Sequence, residues 1–253
     1  MKRGGKIRIF IGLAIVLFAL YQYYSSATTN EFTGEKQYVD LTTEEEIALG
    51  LQAKPSMMQQ HGGLLQDIEA QALVDQVGAR LIQSSIASDT DYNWEFHLLA
   101  DSQTINAFAL PGGQCFITAA MYNQLENVDQ LAGVMGHEIG HVIARHSAER
   151  LEQQKLSQGL VTGASVAVEG GGQMAAAVTQ MVNMKYGRED ELQSDDLGVK
   201  MMMDAGFDPY EMVGVMEILK AAGGPNRTPE FQSTHPDPDN RIEKIKESIR
   251  KYQ

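Results

Sequence analysis

The most constraining feature of the chain is a run of five residues, His137-Glu138-Ile139-Gly140-His141. Positions four apart share one face of an α-helix, so the two imidazoles of this run can bind one tetrahedral metal ion. An apolar stripe on the same segment predicts a core-packed helix and consists of Leu131, Val134, Met135, Val142 and Ile143. This spacing indicates a zinc hydrolase site with His137 and His141 as ligands.

Glu138 lies beside the two predicted ligands. A carboxylate there can take a proton from a zinc-activated water, whose pKa the metal lowers to about 7, and pass it to a leaving amine. That is the chemistry of peptide-bond hydrolysis. We therefore expect one Zn²⁺ per chain and assign Glu138 as the general base of a zinc-dependent endopeptidase.

A hydrolytic zinc site normally has a third protein ligand and one open position. A third histidine of the metzincin type would lie six residues after His141, but Ser147 occupies that position. Downstream, Glu191 and Asp195 are four apart and share one face of a predicted helix. We assign Glu191 as the third ligand and Asp195 as the acceptor of a ligand's free ring N–H. Glu189, Asp190 and Asp196 are alternatives for both roles.

The remaining sequence predicts an α+β fold that is mostly helical, with a small sheet next to the active-site helix. Alternating residues from Tyr92 to Ala100 predict one strand. Two more strands are predicted at 107–110 and 115–118, joined by a turn at Pro111-Gly112-Gly113. Helix starts are predicted at a capping box that begins with Thr43 and at Asp67.

Four ordered segments together carry a family resemblance: HEIGHVIARH at 137–146, NAFALPGG at 106–113, ELQSD at 191–195 and HPDPDNR at 235–241. Over about residues 40–250 the chain resembles the HtpX-like and BepA-like zinc metallopeptidases, relatives of the prenyl-protein endopeptidases. The segment Gln193-Ser194-Asp195 departs from their usual Glu-Ala-Asp and is similar to that of thermolysin-like enzymes. The resemblance implies a gluzincin-type domain in which Asp195 orients His137.

The same resemblance implies that residues 106–113 line the substrate cleft, where an extended peptide would pair with a strand edge. The expected contact residues are Asn106, Ala107, Phe108, Pro111, Gly112 and Gly113. The alternative is an ordinary hairpin with no role in substrate binding.

Two C-terminal residues also gain roles from the resemblance. It implies that His235 and Arg241 approach the metal and stabilise the oxyanion of the tetrahedral intermediate. In an inhibitory alternative, closure of the loop at 228–239 would place His235 in the open zinc position. Without the resemblance, His235 would be a loop histidine and Arg241 a cap or salt-bridge residue of the last helix.

The first 24 residues are predicted to be a signal sequence or an N-terminal membrane anchor. Four cations precede an apolar run at 9–20 and a group of tyrosines, a pattern that retains the N-terminus in the cytoplasm and exports the rest. The small residues Ser25-Ser26-Ala27 fit a processing site, so a soluble form after cleavage is the alternative. We favour a retained anchor, followed by a polar tether at 25–37 and the metallopeptidase domain at 38–253.

Charge limits the class of partner. Without the four N-terminal cations the chain has 16 basic and 33 acidic residues, a net charge near −17, so we expect no nucleic-acid partner. By resemblance, the substrates would be unfolded or misfolded envelope proteins in a bacterial periplasm, with the enzyme tethered to the inner membrane. The rival function is a non-proteolytic chaperone or assembly factor whose zinc site is capped by His235. The sequence predicts no oligomeric state.

Three other features have simpler interpretations. Cys115 is the single cysteine and is more typical of a small buried hydrophobe than of a thiol-protease nucleophile. An integral-membrane prenyl-protein peptidase would need several spans, whereas one apolar segment is present. The Gly-rich segment from Gly159 to Tyr186 predicts either a lid over the cleft or ordinary helix packing.

Overall fold

The computed structural model describes residues 3–167, 187–222, 231, 235 and 240–253. The chain forms two compact units. The larger unit comprises Thr42–His146 and Lys185–Gln253, and it contains the metal-binding motif. The smaller unit comprises the chain up to Leu41 and the segment that begins at Ser147.

The described elements confirm the predicted class, α+β and mostly helical. The smaller unit contains α1 (Arg3–Ser25), β1 (Ala27–Thr29) and β2 (Lys36–Tyr38). The larger unit contains α2 (Thr43–Gln60), α3 (Ile68–Gln83), a 3-10 turn (Ile86–Asp89), β3 (Glu95–Leu99), β4 (Ala107–Leu110), β5 (Gln114–Thr118), α4 (Ala119–Tyr122) and α5 (Val128–Ile143). Helix α6 (His146–Ala167) begins in the larger unit and continues in the smaller one, and the larger unit is completed by α7 (Arg188–Asp204), α8 (Glu211–Ala222) and α9 (Arg241–Tyr252).

The three predicted strands form one sheet in the order β3-β5-β4. Strand β5 pairs with β4 in antiparallel orientation, so that Ala109 lies opposite Cys115, and with β3 in parallel orientation. The predicted turn at Pro111-Gly112-Gly113 joins β4 to β5, and both glycines have positive φ, at 80° and 102°. A side chain on Gly112 would lie 2.4 Å from Cα of Ile47, so only glycine lets α2 pack on this turn.

Helices α5 and α7 approach each other very closely in the larger unit. A Cβ atom on Gly140 would lie 2.8 Å from the carbonyl oxygen of Ser194, and one on Gly136 would lie 3.3 Å from Cα of Gly198. Gly198 in turn would place a Cβ 3.1 Å from the backbone nitrogen of His137. The absence of side chains on these three glycines therefore allows the histidine face of α5 to meet the acidic face of α7.

Of the two capped helix starts predicted from sequence, one agrees with the structure and the other differs by one residue. Asp67 caps α3 through a hydrogen bond from the backbone nitrogen of Ala70, as predicted. The capping box of α2 was predicted one residue late, since Thr42 and Glu45 form it. Glu46, the partner expected for Thr43, is instead buried and accepts a hydrogen bond of 2.7 Å from the hydroxyl of Tyr92.

In the smaller unit, α1 is long and apolar enough to cross a membrane between Lys6 and Ser25. The segment 25–37, predicted to be a polar tether, contains β1 and most of β2, which pair in antiparallel orientation. Within the segment predicted as a lid or packing helices, α6 extends to Ala167, and residues 168–186 lie outside the described part of the chain.

The close approach of α5 and α7 predicts that alanine substitutions at two glycines of α5 have different effects on stability and zinc binding. We expect Gly140→Ala to lower the thermal unfolding midpoint of the full chain and to weaken zinc binding, because the added methyl group meets a backbone oxygen that cannot move alone. Overpacking of this kind costs about 1–3 kcal/mol. The matched control is Gly133→Ala, whose Cβ would have an ordinary contact of 3.4 Å with Cα of Met212. Equal effects of the two substitutions would contradict this account of the helix contact.

Candidate metal centre

The structure brings four potential metal ligands together in the larger unit: His137 and His141 of α5, Glu191 of α7, and His235. All four side chains are buried, and one potential ligand atom from each lies within 4.8 Å of the others. The first three are the ligands predicted from sequence. His235 approaches them from the C-terminal part of the chain, as expected from the resemblance.

The distances between these ligand atoms fit a tetrahedral ion. Nε2 of His137 lies 3.0 Å from Nε2 of His141, 3.4 Å from Oε2 of Glu191 and 3.2 Å from Nδ1 of His235. Oε1 of Glu191 lies 3.4 Å from Nε2 of His141 and 3.1 Å from Nδ1 of His235. Tetrahedral ligands about 2.0–2.1 Å from zinc are separated by about 3.3 Å. The four residues therefore match the size and donor set of a zinc site.

The charges around the cluster also favour a divalent cation. Among the described residues, Glu138, Glu191 and Asp195 place three buried carboxylates here, and Arg241 is the one buried guanidinium that contacts two of them. Burial alone would lower the pKa of His137, but hydrogen bonds with Asp195 and Glu191 raise it to about 9. Burial alone would raise the pKa of Glu191, but its three imidazole partners lower it. Arg241 contacts two of the three carboxylates and carries a single positive charge, so the excess of buried acidic groups favours a bound divalent cation.

Glu138 lies inside the cluster and is not one of the four ligands. Its Oε1 atom is buried, lies 3.7 Å from Nε2 of His235, and has no hydrogen-bond partner among the described residues. Burial raises the pKa of this carboxyl group. An unpaired buried carboxylate oxygen is costly, and it is available here to take a proton from a water molecule.

Asp195 holds one ring of the cluster in place. Nδ1 of His137 lies 2.9 Å from Oδ1 of Asp195, so the ring donates this N–H and keeps Nε2 free for a metal. Arg241 binds both oxygens of Asp195, from Nε at 2.7 Å and from Nη2 at 2.9 Å. Its Nη1 atom lies 3.1 Å from Oε2 of Glu191. The geometry fits an orienting role for Asp195 and makes Arg241 a support of two acidic residues.

The second ring is held by a neutral pair, His146 and Gln193; the spacing of His146 favours a structural or supporting role over ligation, and its contact with Gln193 has no signature in the sequence. Nδ1 of His141 lies 2.9 Å from Nδ1 of His146, and Nε2 of His146 lies 2.8 Å from Oε1 of Gln193. Because the amide oxygen of Gln193 only accepts, His146 carries its proton on Nε2 and accepts the N–H of His141 through Nδ1. His146 is therefore off the ligand face, as its spacing predicts, and lies directly behind a ligand. Gln193 occupies the position at which the sequence departs from the usual family pattern.

The residues expected to contact substrate fall into two groups. Ala107 lines a small cavity together with Cys115 and Glu138, so the start of β4 lies beside the carboxylate of Glu138. Asn106, just before it, is buried, and its Oδ1 atom has no hydrogen-bond partner among the described residues. Phe108 stacks on the ring of Phe116 at a centroid distance of 4.8 Å.

The other end of β4 is held by different elements. A Cβ on Gly50 of α2 would lie 2.1 Å from the carbonyl oxygen of Pro111, and Gly112 packs on Ile47 of the same helix. Gly113 packs on the backbone of Asn93. The described contacts of these three turn residues are thus with the scaffold, and those of Ala107 are with the site.

Cys115 has the environment of a structural residue. It is 3% exposed on β5. Burial, together with the negative charge of Glu138, raises the pKa of its thiol well above the usual value. A thiolate is the nucleophilic form, so this environment disfavours the thiol-protease alternative.

Comparison with known proteins gives one matching family and several similar proteins. The family described as Peptidase family M48 matches residues 69–249. The mitochondrial metalloendopeptidase OMA1 of Schizosaccharomyces pombe is 29% identical over 229 residues, which cover 89% of this chain and 67% of that protein. The beta-barrel assembly-enhancing protease of Escherichia coli is 31% identical over 183 residues, which cover 67% of this chain and 37% of that protein. Human OMA1 is 28% identical over an alignment of 261 positions, which spans 95% of this chain and 49% of that protein.

The neutral pair behind His141 predicts a graded loss of zinc affinity. His146→Ala removes the acceptor of the His141 N–H, and we expect a loss of about 10–100-fold, the usual effect of losing such a partner. His146→Asn keeps an acceptor near the position of Nδ1 and should restore much of the affinity. Competition with a chromogenic chelator measures both variants. Equal affinities of His146→Ala and the wild type would contradict the orienting role of His146.

Proposed function

The chain belongs to peptidase family M48 and is thus a zinc metalloprotease of the hydrolase class, and we propose that it is an endopeptidase whose ion would be held by His137, His141 and Glu191. The observation that carries this proposal is the buried cluster of these three residues with Glu138 beside them. The chain spans only 37% to 67% of the lengths of these relatives, so their activity as complete proteins is a proposal for this chain.

Each side chain of the site has a separate proposed role in peptide hydrolysis. A zinc ion in such a site acts as a Lewis acid and lowers the pKa of water to about 7. Glu138 would accept a proton from the attacking water and return it to the leaving nitrogen. Asp195 and His146 would keep the two imidazoles in the tautomers that leave Nε2 free. Arg241 would keep Asp195 and Glu191 in position.

Strand β4 favours extended, unfolded segments as substrates. It is an edge strand of its sheet, and its first residue, Ala107, lies beside Glu138. A peptide that adds to this edge would form main-chain hydrogen bonds only in extended conformation, which folded proteins rarely offer in exposed segments. We propose misfolded envelope proteins in a bacterial periplasm as substrates. The name of the Escherichia coli relative, beta-barrel assembly-enhancing protease, supports an envelope location.

The location proposed for the chain is the membrane surface. The 20 residues from Lys6 to Ser25 would cross the inner membrane as a retained anchor, and the metallopeptidase domain, proposed at 38–253, would lie on the exported side. Cleavage near Ser26 would give the soluble alternative.

The position of His235 favours a capped form of the site. Its Nδ1 atom lies 3.2 Å from Nε2 of His137 and 3.1 Å from Oε1 of Glu191, where the fourth ligand of the tetrahedron belongs. A side chain in that place excludes the water that hydrolysis requires. We therefore infer that His235 gates the site, and the same contact is the one observation that favours the non-proteolytic alternative. Withdrawal of His235 distinguishes the two functions.

Replacing Glu138 tests the proposed chemistry. Glu138→Gln keeps the size and burial of the side chain but removes the base, so we expect casein hydrolysis to fall by at least about 10²-fold. Zinc content, measured by atomic absorption, should stay near one ion per chain. A chelator-treated wild type is the control for residual activity. A variant that retains cleavage would rule out Glu138 as the base.

Replacing His235 tests the gate. We expect His235→Ala to raise the rate of casein hydrolysis several-fold, because the fourth position opens while the three proposed ligands remain. Initial rates of the detergent-solubilised full chain give the measurement, with His61→Ala as a control at a histidine whose hydrogen bond is to Asp101, outside the cluster. A lower rate would favour the oxyanion role, and no hydrolysis by either form would favour the non-proteolytic function.

A further inference from the structure

In the smaller unit, α1 and the last turns of α6 pack against each other through small residues. A Cβ on Gly12 would lie 2.4 Å from the carbonyl oxygen of Gly163, and one on Gly163 would lie 2.7 Å from the carbonyl oxygen of Gly12. About one turn earlier on α6 and two turns later on α1, a Cβ on Gly159 would lie 2.4 Å from Cβ of Ala19. The two helix backbones are therefore in direct contact, as in membrane helix pairs built on small residues.

The two helices run in opposite directions. Arg8 donates a hydrogen bond of 3.2 Å from Nε to the carbonyl oxygen of Val166, whereas Ala19 packs on Gly159. Residue numbers thus rise along α1 as they fall along α6. The end of α6 points towards the basic N-terminal end of α1, and the nine residues 159–167 extend along it for about 13 Å.

The rest of α1 has the surface of a lipid-facing helix. Phe10, Leu17 and Phe18 are 73%, 58% and 60% exposed. Exposure of each such side chain to water costs about 1.5–3 kcal/mol relative to burial. Arg8 lies near one end and Tyr21 near the other, the arrangement of an anchored span. This surface would be stable in lipid and unfavourable in water.

The paired part of α6 is compatible with the same environment. Residues 159–167 carry no charged side chain. The hydroxyl of Thr162 donates a hydrogen bond of 2.7 Å to the carbonyl oxygen of Gln158, so this hydroxyl is satisfied without a hydrogen bond to water. Gly12 and Gly163 are both buried where the helices meet.

We propose that residues 159–167 of α6 are embedded in the bilayer beside α1 and form an antiparallel helix pair with it. The N-terminal segment is then a permanent structural partner of the peptidase chain rather than a removable leader. This inference rests on the proposed membrane location of α1 and is independent of the proteolytic activity.

Cysteine labelling tests the embedding. Ser165 is exposed among the described residues, so we expect lipid to shield a cysteine at that position from a membrane-impermeant maleimide. In spheroplasts and in inverted vesicles that carry the full chain, we expect Ser165→Cys to react at least about tenfold more slowly than after detergent is added. Lys155→Cys, whose native side chain is 58% exposed, is the control and should react quickly from the exported side. The wild-type chain, whose single cysteine is the buried Cys115, gives the background labelling. Rapid labelling of Ser165→Cys in either membrane preparation overturns the proposal.

A cross-link tests the pairing. We expect the double variant Ala19→Cys with Gly159→Cys to oxidise in membranes, after a separation of the helices by about 1 Å to reach disulfide geometry. Mass spectrometry after trypsin should then find the peptide 9–36 linked to the peptide 156–185. Leu17→Cys with Gly159→Cys is the control, because Leu17 is exposed away from the contact. Equal linkage in both pairs, or a mature chain that lacks the peptide 9–36, overturns the pairing, whatever the proteolytic activity.

Discussion

The contact between α5 and α7 is the constraint on which the site depends. Imidazoles reach only a few ångströms from their backbone, so His137 and His141 can share an ion with Glu191 only if the two helices nearly touch. Gly136 and Gly140 provide that approach, since a Cβ at either position would meet the backbone of α7. The same approach buries three carboxylates in one region, which is unfavourable without cations. Helix packing and metal binding are therefore coupled in this protein.

The sequence predicted the parts of the fold that local chemistry determines. The spacing of His137 and His141 gives their shared face, and alternation with glycine turns gives three strands. It did not predict the parallel pairing of β3 with β5, nor the contact of His146 with Gln193, because residues 19 and 47 positions apart meet only through packing. The cap of α2 differed by one residue, because Glu46 binds the hydroxyl of Tyr92 from a distant segment. Long-range contacts of this kind have no local signature.

Arg241 illustrates why the C-terminal helix belongs to the site. By spacing alone it is the first residue of an amphipathic helix, and a solvent-facing ion pair is the simplest expectation. In the structure it is 2% exposed and binds Asp195 through two nitrogens and Glu191 through a third. Loss of one partner from such a buried pair costs about 3–5 kcal/mol, because a charge remains uncompensated. Helix α9 also buries its own Ile245 and Ile249, so it supports the candidate metal centre as well as the core.

The two imidazoles of α5 are supported in different ways, and the proposed gate, His235, contacts both. His137 donates to a carboxylate that Arg241 already holds, whereas His141 donates to neutral His146. A charged acceptor makes an imidazole a stronger donor to a metal than a neutral one does. His235 contacts both sides of the cluster: its Nδ1 atom lies 3.2 Å from Nε2 of His137, and its ring centroid lies 4.9 Å from that of His141. Departure of His235 would thus open the site beside both imidazoles. Each of them has its own supporting partner, so the proposed ligands would keep their geometry while water and a peptide carbonyl take the place of His235.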